Sequence, residues 1–234
     1  MIVYRTGQSF RIDATAASDT YPLLLHYPYF DIYRKQVVKQ GDLLMALHWC
    51  GDSFTLAEKA RAFEYYEALT VRDSSLSACT QAVIAAEVGH LDLAHDYLTE
   101  NAYIDLRDLA HNTREGVHIA ALAGVWLGLV AGFGGMRDHG GALTFAPRLP
   151  VTLQGLSFAL RWQGMKVRVR VDAQSATYSI EDANGHGSLE LSHHGQAFTV
   201  RPDEPVTLPI EAMEPLTPRP TQPAGREPTK ALSE

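Results

Sequence analysis

Two short segments carry the side chains best suited to holding an anion. One reads Thr70-Val71-Arg72-Asp73-Ser74-Ser75-Leu76-Ser77 and the other Asn112-Thr113-Arg114-Glu115-Gly116-Val117-His118. Ser74 and Ser75 offer hydroxyl donors, while Arg72 and His118 offer positive charge. Each segment precedes an apolar, helix-like run. Each would therefore sit at a helix N-terminus, where free backbone N–H groups and the helix dipole favour negative charge. A phosphate, or a polyol such as a sugar, suits such a place. The plainer reading is that Asp73 or Ser74 and Thr113 are ordinary N-caps. Lys39-Gln40 adds hydrogen-bond donors if its helix points inward, or a solvated basic face if it does not. Glu67, in Tyr65-Tyr66-Glu67 beside the first segment, is a candidate general base or sugar-hydroxyl ligand, or else a surface charge.

Other candidates carry less. His90 and His95 have the wrong spacing to share one helix face. His186 and His193-His194 lie among β turns with no carboxylate or cysteine partner set, so no metal site is expected. Gly132-Phe133-Gly134-Gly135 follows a helix rather than a strand, which fits a helix C-cap and domain junction and not a dinucleotide loop. No Gly-x-Ser-x-Gly elbow and no Walker loop occurs in the sequence.

The elements that position these residues change character near residue 136. Before it, apolar residues recur at helical spacing, with helices expected over 33–49, 55–69, 75–89, 92–106 and 117–133. Thr55-Leu56-Ala57-Glu58 has capping-box spacing and Gly89 suits a helix C-terminus. The first, third and fifth helices start about 42 residues apart, an αα-hairpin period. The third and fifth are Ala-rich and nearly uncharged, whereas the second and fourth carry charge on one face. Buried inner helices alternating with amphipathic outer ones make an α/α barrel or an α-solenoid. In a barrel the inner helices run parallel, so the two loops above meet at one end.

After residue 136 come seven short strands, expected over 142–146, 156–162, 165–171, 177–181, 188–191, 196–200 and 205–210. Lys166-Val167-Arg168-Val169-Arg170-Val171 alternates strictly, which buries one face. Gln163-Gly164 and Asp182-Ala183-Asn184-Gly185 read as turns. A small antiparallel β-sandwich follows. The stretch 211–234 holds five of the twelve prolines and no aromatic residue, and is expected to be a disordered tail.

Composition narrows the function classes. The chain has 234 residues, 46% hydrophobic and 20% charged, with a net charge of −7 and no basic stripe, so no nucleic-acid partner is expected. The run 117–133 is at the short edge of a membrane span, but its alanines and glycines suit close packing in a protein core, so no membrane partner is expected. Cys50 and Cys79 form neither a disulfide framework nor a zinc set, and the N-terminus lacks a secretory apolar run; a cytoplasmic setting is expected.

The segments YPLLLHYPYFDIYRKQVVKQGDLLMAL, YYEALTVRDSSLSACTQAVIAAEVGHLDLAHDYL, NTREGVHIAALAGVWLGLVAGFGGMR and LTFAPRLPVTLQGLSFALRWQGMKVRVRV resemble, in continuous order, the C-terminal part of glycoside hydrolase family 65. That family includes maltose, trehalose and kojibiose phosphorylases and related α-glucoside hydrolases. The resemblance runs from Tyr21 to Val171 and implies part of an (α/α)6 barrel over 21–136 and a C-terminal β-sandwich over 137–210, with 1–20 unassigned. It also implies roles. Lys39-Gln40 would hold the non-reducing glucose, and Ser74, Ser75 and His118 would bind inorganic phosphate. Glu67 would lie where a hydrolytic member keeps its base. The substrate would be an α-linked glucose disaccharide, opened with inversion by phosphate or water and without a cofactor.

Two departures from the family pattern matter. Arg72 stands where many phosphorylases resemble TVHDSSLS; it would bind phosphate bidentately or mark a trehalose-hydrolysing branch. The family's glutamic general acid lies upstream of the matching region. Five helices cannot close a barrel of twelve, so uncovered apolar inner faces are expected, together with an N-terminal barrel half or a homo-oligomer as partner. The chain is therefore expected to be a fragment inactive alone for want of that acid; the alternatives are one half of a split enzyme and a non-catalytic carbohydrate- or phosphate-binding module.

Overall fold

The computed structural model describes residues 21–182 and 187–230. The expected turn at 183–185, His186, the unassigned segment 1–20 and the last four residues lie outside them. The helical part comprises α1 (Leu23–His26), α2 (Tyr29–Ile32), α3 (Asp42–Trp49), α4 (Leu56–Glu67), α5 (Ser77–Glu87), α6 (Leu91–Tyr103) and α7 (Ile119–Leu127). The last continues as a π-helical stretch over Gly128–Phe133. Local signals account for several boundaries. Thr55 and Glu58 form the reciprocal capping box that opens α4. Gly89, at φ +96°, ends the turn after α5.

The first expected helix is corrected. Only Asp42–Trp49 is helical; Val38 instead makes a parallel bridge to Thr70. Its N–H donates to Leu69 O at 2.9 Å, and Val71 N–H donates to Val38 O at 2.8 Å. The β-branched pair Val37-Val38 suits this extended path. Lys39 and Gln40 therefore lie in the turn entering α3, not within a helix.

Helix α5 is the centre of the helical part. Ala78 and the run Ala82 to Ala86 are buried, packed against Leu44, Phe63, Leu93 and Tyr97 of the neighbouring helices. Its approach to α7 depends on missing side chains. A Cβ at Gly124 would lie 2.3 Å from Cys79 Cβ, one at Gly128 would lie 3.7 Å from Ala82 Cβ, and one at Gly132 would lie 3.7 Å from Ala86 Cβ. The partners advance together along both chains, so the two helices are parallel, with residue n of α7 beside residue n − 45 or n − 46 of α5. The expectation that the fifth helix is buried all round is corrected too. Ala121 and Gly124 are buried, but Ile119 is 68% and Trp126 47% exposed. The opposite face has no neighbour among the described residues, because the elements here cover one side only. No helix among the described residues is long and apolar enough to cross a membrane.

The C-terminal part is a two-sheet sandwich. Strands β2 (Leu156–Trp162), β3 (Met165–Val171), β4 (Ser175–Asp182) and β7 (Val206–Pro209) form one antiparallel sheet in that order. The other sheet has the order β1 (Thr144–Phe145), β5 (Leu189–His193), β6 (Gln196–Val200), with β1 parallel to β5, a departure from the all-antiparallel expectation. Val167, Val169 and Val171 face Phe145, Tyr178, Leu189 and Leu191 in a common core. Gln163 and Gly164 turn the β2–β3 hairpin, both at positive φ, as a two-residue loop requires. A charged junction ties the sandwich to α5. Arg148 donates to Ala86 O at 3.1 Å and Glu87 O at 2.8 Å, capping the helix C-terminus. Glu87 pairs with Lys59 at 2.7 Å and Arg137 at 2.8 Å.

The expected disordered tail is also corrected over 211–230. The segment forms no helix or strand, yet it runs back as a strap over the helices. Leu216 N–H donates to Val88 O at 3.2 Å, Gln222 reaches Glu67 at 3.1 Å, and Thr229 N–H reaches Glu100 at 3.0 Å. Its own side chains bury little, as composition required; polar partners on α4, α5 and α6 order it instead. Substituting Gly124→Ala forces Cys79 and Asn101 aside, and urea unfolding is expected to show a loss of about 1–3 kcal/mol.

Candidate functional site

The helix register assembles one end of the molecule. Because α5 and α7 run parallel with Gly124 beside Cys79, their starts lie at the same end of the pair, with Ser74 and Ser75 just before α5 and His118 just before α7. The Lys39-Gln40 turn reaches the same end, because a Cβ on Gly41 would lie 3.8 Å from Ser77 O at the start of α5. Lys39 is exposed, and its charge is felt by Asp73. The chain entries into α3, α5 and α7 thus lie at one end of these helices, with Lys39 close to Asp73.

Local bonds set their states. Ser74 Oγ accepts from Leu76 N–H at 3.3 Å, and Ser74 O accepts from Ser77 N–H at 3.2 Å, so part of its capacity serves the turn. The side chain of Ser77 is buried, with an unpartnered Oγ. Gln40 Nε2 donates to Asp42 Oδ1 at 2.7 Å. His118 is oriented by Asp105, whose two oxygens accept from the ring Nδ1 at 2.6 Å and from the His118 backbone N–H at 2.9 Å. Those bonds hold the Asp105 carboxyl below its ordinary range and leave Nε2 as the ring nitrogen open to a ligand.

Two expected site residues are turned inward. Glu67, the last residue of α4, is fully buried. It accepts from Tyr97 Oη at 2.5 Å, Gln81 Nε2 at 2.6 Å and Gln222 Nε2 at 3.1 Å. Burial raises its pKa against these three bonds. Covered in this way, it is not placed to activate a water or meet a sugar. Arg72 is also withdrawn. It sits at φ +54°, pairs with Glu100 and lies 5.3 Å from the Tyr97 ring centroid. Its Nε donates to Arg226 O at 2.9 Å. It is a partner of protein groups, not a free phosphate ligand.

Sequence reasoning missed Asp105, Ser77 and the cluster of Gln81, Tyr97 and Glu100. Nothing in local spacing marks Asp105, which stands 13 residues before His118 in irregular chain. The histidine pair His193-His194 is structural. His193 bonds Tyr178 Oη at 2.7 Å and Pro209 O at 2.9 Å, and His194 bonds Pro147 O at 3.2 Å. A cavity of about 830 Å³ beside them, lined also by Lys59 and Glu87, lies at the opposite end of α5 from Ser74. Among the described residues no group of three or more His, Cys, Asp or Glu side chains could hold a metal ion.

Comparison with known proteins bears on this arrangement. The glycosyl hydrolase family 65 central catalytic domain matches residues 3–127, taking in most of the segment left unassigned above, and the C-terminal domain of the same family matches residues 136–200. An uncharacterised glycosyl hydrolase of Mycobacterium leprae is 51% identical over 91% of this chain and 27% of its own length. The alpha,alpha-trehalose phosphorylase of Thermoanaerobacter brockii is 40% identical over 69% of this chain and 21% of its own. A solved structure, a putative kojibiose phosphorylase from the human microbiome, superposes with a TM-score of 0.78 at 25% identity, covering 86% of this chain and 29% of that one. The chain thus spans about a quarter of the length of the relatives it matches.

The raised pKa of Glu67 has a measurable sign. The folded state holds the proton more tightly than the unfolded chain does. Stability is therefore lost as pH rises from the usual value of 4.5 through the raised one. Glu67→Gln should gain stability relative to the parent in urea melts between about pH 4 and about pH 7. A constant difference across that range would show that the carboxyl ionises normally.

Proposed function

This chain belongs to glycosyl hydrolase family 65, and from that membership we infer that it is the C-terminal portion of an inverting phosphorylase of α-linked glucose disaccharides of the trehalose, maltose or kojibiose type. The observation that supports the reading is the parallel course of α5 and α7, which puts Ser74-Ser75 and His118, just before their starts, at one end with hydroxyl and imidazole donors. In this reading Ser74, Ser75 and His118, the last held by Asp105, grip inorganic phosphate, while Lys39 and Gln40 bond the hydroxyls of the non-reducing glucose. Phosphate attacks the anomeric carbon from the face opposite the departing oxygen. The glycosidic C–O bond breaks, the leaving oxygen takes a proton from a general acid, and β-glucose 1-phosphate forms with inversion. The exposed carboxylates near this end, Asp42 and Glu115, lie against Gln40 and Arg114; in this reading the general acid is the family's glutamate, supplied by polypeptide outside 21–230.

The uncovered apolar residues agree with an incomplete barrel. Leu43, Met45 and Trp49 of α3 and Val117, Ile119, Leu122 and Trp126 at α7 are 38–68% exposed. The natural cover is the remainder of the catalytic domain, which the relatives' greater length supplies.

The test is reconstitution. The chain alone is expected to show no phosphate-dependent release of glucose 1-phosphate from trehalose, maltose or kojibiose, and the chain joined to a family 65 upstream region is expected to release it from one of them. Activity without phosphate would assign hydrolysis instead. In the active form, Ser74→Ala with Ser75→Ala should raise the KM for phosphate about 10–100-fold, the worth of one or two bonds to a charged ligand. Asp105→Ala, which frees the His118 ring, should raise it in the same direction. Lys39→Ala should raise the KM for the sugar and leave that for phosphate unchanged.

A further inference from the structure

The segment that would grip phosphate is held from far along the chain as well as by its own turn. Arg226, on the strap about 150 residues away, donates from Nε to Val71 O and from Nη2 to Arg72 O at 2.7 Å. The same Nη2 approaches Asp73 Oδ1 at 3.4 Å, and the guanidinium lies 4.8 Å from the Tyr21 ring centroid. Arg72 returns the contact: its Nε and Nη2 donate to Arg226 O at 2.9 and 2.5 Å. Each guanidinium has its own carboxylate, Glu100 for Arg72 and Asp73 for Arg226. Glu100 also accepts from Thr229 N–H at 3.0 Å, fixing the strap on the far side of Arg226. At the centre, Arg72 stands at φ +54°, a backbone state that residues with a side chain rarely adopt and that persists only when its surroundings hold it.

Resting on the reading of Ser74 and Ser75 as phosphate ligands, we propose that Arg72 and Arg226 form a reciprocal clasp that holds residues 71–73 in the shape that presents those serines, making both arginines positioning residues. The physical basis is acceptor satisfaction. Without Arg226, the carbonyls of Val71 and Arg72 lose their donors in a part-buried site, and Arg72 relaxes from its left-handed state. A rotation at Arg72 swings the chain two residues on, where Ser74 lies. Arginine is suited to this because one planar fork reaches two backbone carbonyls and a carboxylate together, which a lysine ammonium cannot reproduce. The clasp also accounts for the guanidinium of Arg72 facing the strap and not the anion.

The test uses the full chain. Hydrogen exchange is compared in the parent, Arg226→Ala and Arg226→Lys, with inorganic phosphate titrated by calorimetry. Arg226→Ala should speed exchange of amides 71–76 at least about tenfold while amides 80–86 in α5 keep their protection. Arg226→Lys should fall between it and the parent. Phosphate affinity should fall about tenfold in Arg72→Ala and in Arg226→Ala, and the double variant should lose no more than the worse single one, because the pair acts as one unit. Unchanged protection at 71–76 in Arg226→Ala, or losses that add in the double variant, would overturn the clasp. If Arg226→Ala also loosens α5, then Arg226→Lys decides, with loosening confined to 71–76 expected. If the parent binds no phosphate, or binds it equally well in Ser74→Ala with Ser75→Ala, the anion reading fails and the exchange data alone judge the clasp.

Discussion

Everything at the candidate site depends on how closely α7 can approach α5. A side chain at Gly124 would overlap Cys79, and one at Gly128 would meet Leu98 at 2.7 Å. The small residues permit backbone proximity, and the register that results admits little slippage. Asn101 adds a second restraint by donating from α6 to Ala121 O at 2.5 Å. From that register it follows that the starts of α5 and α7 lie at one end of the pair, with Ser74 and His118 just before them. The exposed half of α7 follows as well, since an element pressed so tightly on one side presents its other side elsewhere.

The opposite end of α5 is governed by charge. Burial pushes the Glu87 carboxyl up, but Arg137 and Lys59 outweigh it and hold the group below its usual range. Burial also brings the Arg148 guanidinium down to about 10, with Arg137 adding to the effect, although every contact it makes is to a carbonyl oxygen. One helix thus carries the positive end of its dipole beside Ser74 and Ser75 and a cation-capped finish. The sandwich is joined to the finish, and the strap to the segment before the start.

What the sequence reveals follows how local the determinants are. Lys166 to Val171 is legible because a two-residue period with one dry face depends on nothing remote. Thr55 and Glu58 are legible because a capping box closes within four residues. The turn at Lys39 is not legible, because the partner that draws Val38 out of a helix is Thr70. Glu67 and Arg72 mislead for the same reason. Their types and positions suit catalysis, but Tyr97, Glu100, Gln222 and Arg226 enclose them, and those partners come from far along the chain. The strap is the least legible element, since its composition predicts no core and it needs none. Ser74, Ser75 and His118 remain half-buried, and their setting is a helix entry, a feature that short-range pattern does convey.

The strap also imposes an order in time. Arg72 and its partner Arg226 are separated by 154 positions, so a ribosome that has finished the Ser74 segment works on for roughly 8–30 s before the fastening residue exists. The two sheets are made in that interval, and both can form before the strap passes over the helices. During synthesis the loop that carries Ser74 therefore lacks its fastening, and its contacts with the strap form only as the last described residues emerge. A nascent chain stalled or cleaved between Ile210 and Arg226 would carry helices and sandwich alike, yet leave that loop unfastened.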